Sequence, residues 1–267
     1  MNPKYPERIV CLTEETTELL YLLGEQDRIV GISGFTVRPP EARRDKPKVS
    51  AFTSAKTDRI VDLQPDLVIG FSDLQADIAA ELIRMGVNVL IMNQRSVQEI
   101  LDMILTLSSM VGAHEKGRLL VYEYVERLMQ AQASVEALPF KPKVYFEEWD
   151  EPMISAIRWV SELITYAGGT DCFAQLGQKS HGKDRIIADS QTVIDANPDI
   201  IIGSWCGKKF RPDKVKEREG WSAIKAVQAD ELHEIKSPFI LQPGPAALTE
   251  GLEQLQAIIH KVAHKQL

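Results

Sequence analysis

Arg59-Ile60-Val61-Asp62-Leu63-Gln64-Pro65-Asp66-Leu67-Val68-Ile69-Gly70 has a counterpart further along the chain, Thr192-Val193-Ile194-Asp195-Ala196-Asn197-Pro198-Asp199-Ile200-Ile201-Ile202-Gly203. The offset is 199 − 66 = 133 residues, half of the 267-residue chain. Repetition at that distance predicts two related lobes rather than a short-period solenoid. Each copy reads as a short helix, a Pro-Asp turn and a strand. The strand is apolar on both sides, as parallel strands covered by helices are. Two facing lobes form a cleft, a favoured place for a small ligand.

Outward from the repeat, short apolar runs alternate with helical patterns, which predicts an α/β fold. Strands are expected at 8–12, 28–32, 67–70, 87–92, 143–147, 199–203 and 231–235. Helices are expected after Thr13, at 58–63, 76–85, 96–111, 162–169 and 246–264. Thr13 suits an N-cap, with Glu14 and Glu15 at the positive helix end, and Gly24 suits the C-terminal stop. Residues 34–48, with Pro39, Pro40 and Pro47, read as a loop. Val121, Val125, Leu128 and Val135 fall near one face of a helix over 115–137. At about 1.5 Å per residue it would span roughly 35 Å, enough to join two lobes. The domain reading is therefore an α/β lobe at 1–114, a backbone helix at 115–137 and a second α/β lobe at 138–267.

Hydrophobic residues make up 44% of the chain, enough for a substantial core, and the formal net charge is −7 with both signs interspersed. Nucleic-acid partners call for a clustered positive patch, so they are excluded here, as is attraction to anionic lipid. No stretch reaches the roughly 18 to 20 apolar residues of a membrane span. The opening Met1-Asn2-Pro3-Lys4-Tyr5-Pro6-Glu7-Arg8 shows no signal-peptide core, so the compartment reads as cytoplasmic, or as periplasmic if a signal has been removed. Three cysteines, Cys11, Cys172 and Cys206, make no disulfide framework.

Ligands of open α/β sheets sit outside the carboxyl ends of the strands. The first repeat exits into Gly70-Phe71-Ser72 and the second into Gly203-Ser204-Trp205-Cys206-Gly207. The first strand of the second half exits into Glu147-Glu148-Trp149-Asp150-Glu151-Pro152, and Phe35 and Phe52 stand in first-half loops. Aromatic exits suit a large flat apolar ligand. Core packing is the competing reading for each ring. The 147–151 acidic run reads as a solvated loop, with a catalytic carboxylate pair as the alternative. His260 and His264 share a helix face, but the Lys-rich tail reads as a solvated helix end rather than a metal site. Cys206 stands in a glycine-flanked turn beside Lys208 and Lys209, which would lower its pKa. Cys206 as nucleophile with His181 as base is the enzymatic alternative. No phosphate-binding glycine loop is present.

The chain also resembles a known family. Arg8-Ile9-Val10-Cys11-Leu12, Thr17-Glu18-Leu19, Leu23-Gly24, Asp27-Arg28-Ile29-Val30-Gly31-Ile32-Ser33, Pro39-Pro40, Glu148-Trp149-Asp150-Glu151-Pro152, Trp159, Ala167-Gly168-Gly169, Trp221 and Pro243-Gly244-Pro245 resemble the cobalamin-type members of the helical-backbone substrate-binding proteins of ABC importers. That family also serves haem and ferric siderophores. The resemblance implies two Rossmann-like lobes with mainly parallel sheets, joined by one long backbone helix. It implies a monomeric, non-enzymatic protein with no required cofactor, which holds cobalamin or another corrinoid in the inter-lobe cleft and delivers it to a transporter permease. By position, Phe35, Phe52, Phe71, Trp149, Trp159, Trp205 and Cys206 are the implied ligand-binding residues, and Asp77 and Glu219 lie near the implied docking tips. Two departures stand out: phenylalanine replaces the tryptophan or tyrosine common in the first lobe, and Ala246 replaces an arginine after Pro-Gly-Pro.

Overall fold

The computed structural model describes residues 4–265. Its first sheet contains β1 (Ile9–Cys11), β2 (Ile29–Ser33), β3 (Lys48–Ser50), β4 (Leu67–Phe71) and β5 (Val89–Met92), in the order β3-β2-β1-β4-β5. All pairs are parallel. The chain winds outward from β1 to one side through β2 and β3 and to the other through β4 and β5. The order therefore reverses between β1 and β4, the kind of switch point outside which α/β proteins bind ligands. Val10, Leu12, Val49, Ile60, Val68, Ile78 and Leu82 form a core on this sheet. The helix Glu14–Leu22 follows β1, and Gly24 just beyond it takes the left-handed conformation (φ 75°) of a C-terminal stop. The proline-rich stretch is more ordered than a loop. It forms the helix Pro40–Asp45 and then β3, because proline fits the first turn, where its missing N–H has no intrahelical partner.

The second sheet contains β6 (Lys143–Asp150), β7 (Met153–Ser155), β8 (Thr170–Asp171), β9 (Ile200–Gly203) and β10 (Leu232–Glu234), in the order β10-β9-β6-β7, with β8 pairing the start of β6. Only β7 is antiparallel. The expected exit loop at 147–151 is mostly strand. β6 continues to Asp150, turns through a cis Glu151–Pro152 peptide and folds back as β7. Tyr145, Val193, Ile201, Phe210, Trp221 and Ile224 belong to one core cluster of this lobe.

The sequence repeat is a structural repeat. Ile9 lies opposite Leu67 in the first sheet and Val144 opposite Ile200 in the second. Asp66 accepts the N–H groups of Glu7 (2.7 Å) and Arg8 (3.0 Å) through its carboxylate, and its own N–H donates to the Arg8 carbonyl. Asp199 does the same for Lys143, accepting its N–H at 2.8 Å and donating to its carbonyl. The conserved-in-copy aspartate thus clamps the start of the neighbouring central strand, a tighter role than turning the chain. Gln64 (φ 48°) and Asn197 (φ 46°), each just before the proline, both take the left-handed conformation that ends the short helix.

Between the two sheets in sequence runs a helix, His114–Ser134, closed by a tight turn at Val135–Ala137. The fold is therefore α/β, with two parallel-sheet lobes and one long helix. Among the described residues, 4–94 with 98–123 form one compact unit and 95–97 with 124–265 the other. The terminal helix starts with a wide π turn at Ala247–Gly251 and continues as Leu252–Lys265. Among the described residues, no helix is long and apolar enough to cross a membrane. Met1, Asn2 and Pro3 of the opening run lie outside the described residues.

Candidate functional site

The carboxyl-end rim of the first sheet is built by the exits of β1, β2, β3 and β4. Gln75, fully buried, ties three of them together. Its Oε1 accepts the Phe71 N–H at 2.9 Å, and its Nε2 donates to the carbonyls of Phe52 (2.9 Å) and Leu12 (3.4 Å). Such a bridge fixes loop backbones that no ladder holds. Ser72, in a left-handed conformation (φ 66°), caps the following turn by accepting the Leu74 N–H.

Beyond β1 stand Glu14 and Glu15, 7% and 1% exposed. The Thr13 hydroxyl donates to Glu15 Oε1 at 2.6 Å instead of capping the helix backbone. Burial pushes both carboxyls up to about 7. The Val37 N–H opposes this rise at Glu14, and the Thr13 hydroxyl opposes it at Glu15. Glu18, one turn on, pairs with Arg38 at 2.9 Å. Arg43 donates to the carbonyls of Gly34 (2.6 Å) and Thr36 (3.2 Å), holding the loop after β2. Burial also raises the Cys11 thiol to about 12, which makes it inert.

The second sheet's rim is organised around Glu147, which is 0% exposed. Arg218 grips it with two bonds of 2.6 and 3.0 Å, the Trp205 indole donates to Oε1 at 3.0 Å and the Tyr145 hydroxyl to Oε2 at 2.8 Å. Arg218 in turn lies 4.4 Å from the centre of the Trp221 ring. A second bidentate pair joins buried Arg185 to Glu148 at 2.7 and 3.1 Å. Glu147 and Glu148, two of the four acids in the 147–151 run, are thus structural ion-pair members, and neither the solvated-loop reading nor the catalytic-pair reading describes them. Lys208 sits 4.2 Å from the centre of the Trp149 ring and 5.1 Å from that of Trp205, and also pairs with Asp150.

The candidate ligand residues fall into two groups. Phe35 is 55% exposed, Phe52 and Trp149 are half-buried, and Cys206 is exposed in the turn after β9. Phe71 (5%), Trp159 (2%) and Trp205 (3%) are buried. Trp159 lies in the helix Arg158–Tyr166 with its indole donating to the Ile240 carbonyl at 2.9 Å, and so packs as core. Trp205 stacks edge-on against Phe210 and turns its N–H inward to Glu147. Neither tryptophan offers an open ring face. His181 is exposed ahead of the turn Gly182–Arg185. Among the described residues, no group of three or more His, Cys, Asp or Glu side chains is arranged to hold a metal ion, and His264 bonds the His260 carbonyl within its own helix. Asp77 and Glu219 are both exposed.

Sequence reading passed over Glu14, Glu15, Gln75 and Arg218 as site builders. Position directly after β1 was the available signal for the two glutamates. Gln75 and Arg218 lie 63 and 71 residues from their partners Leu12 and Glu147, beyond any local pattern.

The sequence signature described as "Periplasmic binding protein" matches residues 9–238. The chain is 26% identical to the uncharacterized ABC transporter substrate-binding lipoprotein YvrC of Bacillus subtilis, over 98% of this chain and 83% of that protein. It is 25% identical to the vitamin B12-binding protein of Vibrio cholerae, over 99% and 93%. Its fold is similar to that of the periplasmic heme-binding protein RhuT from Roseiflexus sp. RS-1, with a TM-score of 0.82 at 22% identity, covering 96% of this chain and 99% of that one.

Proposed function

We propose, from the premise that the chain belongs to the periplasmic binding protein family, that it is the substrate-binding protein of an ABC importer and carries a corrinoid, cobalamin or a close relative. The observation that carries this reading is the pair of carboxyl-end rims, each with a half-buried aromatic, Phe52 in one lobe and Trp149 in the other. Half-buried rings are held by the scaffold yet keep a face for a flat macrocycle, at little rotamer cost. The vitamin B12-binding relative, alignable over 99% of this chain, supports the corrinoid over other flat ligands.

Exposed Asp77 and Glu219 serve as docking contacts for the permease. The family supports an extracytoplasmic compartment. A haem carrier is the second reading, favoured by the fold similarity to RhuT at a TM-score of 0.82. An enzyme using Cys206 and His181 is the reading of another class, and it has the weaker support: the relatives above carry the names of binding proteins. Calorimetric and spectral titration of the full chain with cobalamin, cobinamide and haem tests the proposal. Saturable one-to-one binding of a corrinoid is expected. No heat or spectral change with any of the three overturns it, and a thiol-reactivity profile with a hyper-reactive Cys206 would favour the enzyme.

A further inference from the structure

Among the described residues, four buried oxygens without a hydrogen-bond partner stand on the rim of the first sheet: Oε2 of Glu14, Oε2 of Glu15, the Thr36 hydroxyl and the Ser50 hydroxyl. They come from the exits of three adjacent strands. Glu14 and Glu15 follow β1, Thr36 follows β2 and Ser50 ends β3. The Gly34 N–H donates to the Ser50 carbonyl at 2.7 Å, and Glu14 meets the Val37 N–H beside Thr36, so the three exits are tied to one another. Thr36 is fully buried and Ser50 nearly so (0% and 9% exposed).

Buried acceptors are costly to leave unpaired, and natural proteins keep few of them. Thr36 and Ser50 carry no charge, so their lack of partners is independent of the acidic pair. Among the ordinary fates of such groups, a partner supplied by the ligand fits the position, since the rim is where an α/β sheet receives one. Glu14, the more exposed of the two acids, is where the cluster meets the surface.

Resting on the proposed function, we infer that the first-lobe rim selects its ligand by peripheral hydrogen-bond donors. Amide N–H, hydroxyl or ammonium groups would satisfy these oxygens. Peripheral carboxylates would meet Glu14 and Glu15, and once these are ionised, like-charge contact with desolvated acceptors is a strong rejecting device. An amide-fringed corrinoid is then favoured over a haem with its propionates.

Four probes separate the possibilities: dicyanocobinamide and ferrioxamine B, which carry donors, and haemin and ferric citrate, which carry carboxylates. Binding of a donor-bearing probe at least about tenfold tighter than either carboxylate-bearing one is expected. The Glu14→Gln/Glu15→Gln double variant should narrow that preference by about tenfold. Thr36→Val is the second variant. It keeps shape and removes a costly hydroxyl, so it should melt no lower than wild type yet bind the donor probe about three- to tenfold more weakly. A purely structural Thr36 would leave affinity untouched. Haemin or ferric citrate bound as tightly as the donor probes, with no change in the variants, overturns the inference and leaves the carrier reading standing. Ferrioxamine B bound alone keeps the inference and overturns the tetrapyrrole reading. Failure of all four overturns both.

Discussion

The two rims occupy the same place in a repeated topology and treat buried charge in opposite ways. In the first sheet Ile9 faces Leu67 and in the second Val144 faces Ile200, so Leu12 and Glu147 stand at equivalent positions. The first lobe fills that position with a core leucine and leaves its acids, Glu14 and Glu15, two and three residues further out, each with one oxygen unpaired. The second lobe buries a carboxylate there and saturates it with Arg218, Trp205 and Tyr145. A satisfied network rigidifies, whereas an unsatisfied one stores a cost that a ligand can relieve. The second rim is therefore the preset platform and the first the side still lacking partners.

Breaking the platform should have the largest effect. Arg218→Met strands the Glu147 charge in a buried site and is expected to cost about 3–5 kcal/mol in urea unfolding. Adding Glu147→Leu, which restores the first lobe's residue at that position, should recover much of this loss. If Arg218→Met costs no more than a surface substitution, the contrast between the rims fails.

The first rim should respond to pH instead. The carboxyls of Glu14 and Glu15 rise from the ordinary 4.5 to about 7 in the folded protein. Their protonated forms hold more protons in the folded than in the unfolded chain between those values, so their contribution to stability is full below pH 4.5 and is lost as pH rises through 7. The loss amounts to at most about 3 kcal/mol per carboxyl. Glu18 faces both acids and Arg43 faces Glu14; Arg38 binds Glu18, and Lys46 lies within reach of Cys11 beneath. The Cys11 thiol, raised to about 12, stays protonated through this range. Glu15→Gln should flatten the profile and be more stable than wild type at pH 8. An unchanged profile would remove the basis for calling this rim unsatisfied.

A subtler comparison lies in the repeat itself. Gly70 and Gly203 end the same motif, and a Cβ on either would strike a neighbour: Gln75 Oε1 and Ile91 in the first lobe, the Phe210 ring in the second. Each Gly→Ala change should cost about 1–3 kcal/mol by overpacking. Gly70→Ala should also disturb ligand binding, because Gln75 ties the rim loops, whereas Gly203→Ala should act mainly on stability. The smallest effect is expected from Lys208→Met. It removes a partly exposed cation from the faces of Trp149 and Trp205 and from its pair with Asp150, at about 1 kcal/mol after solvent screening, and should alter tryptophan fluorescence.

Much of this was legible in the sequence. The Pro-Asp repeat gave the paired strands and the buried face of each, since both depend on residues a few positions apart. The long helix was legible for the same reason. Trp159 could also have been placed inside, because Leu163 and Ala167 follow it at helical spacing. What escaped depended on distance along the chain. The 147–151 run reads as solvated until Arg185 and Arg218 are brought to it by tertiary folding. Trp205 looks like a rim aromatic until Glu147 draws its indole inward. Glu14 and Glu15 look like ordinary first-turn carboxylates until folding buries both and brings the Val37 N–H to Glu14.

Titration of the full chain with dicyanocobinamide, followed by tryptophan fluorescence in wild type and in Trp149→Phe, decides whether the second rim receives a flat ligand. Saturable one-to-one quenching is expected in wild type and should be largely lost in the variant while calorimetry still records binding. The absence of any saturable change in wild type would contradict it.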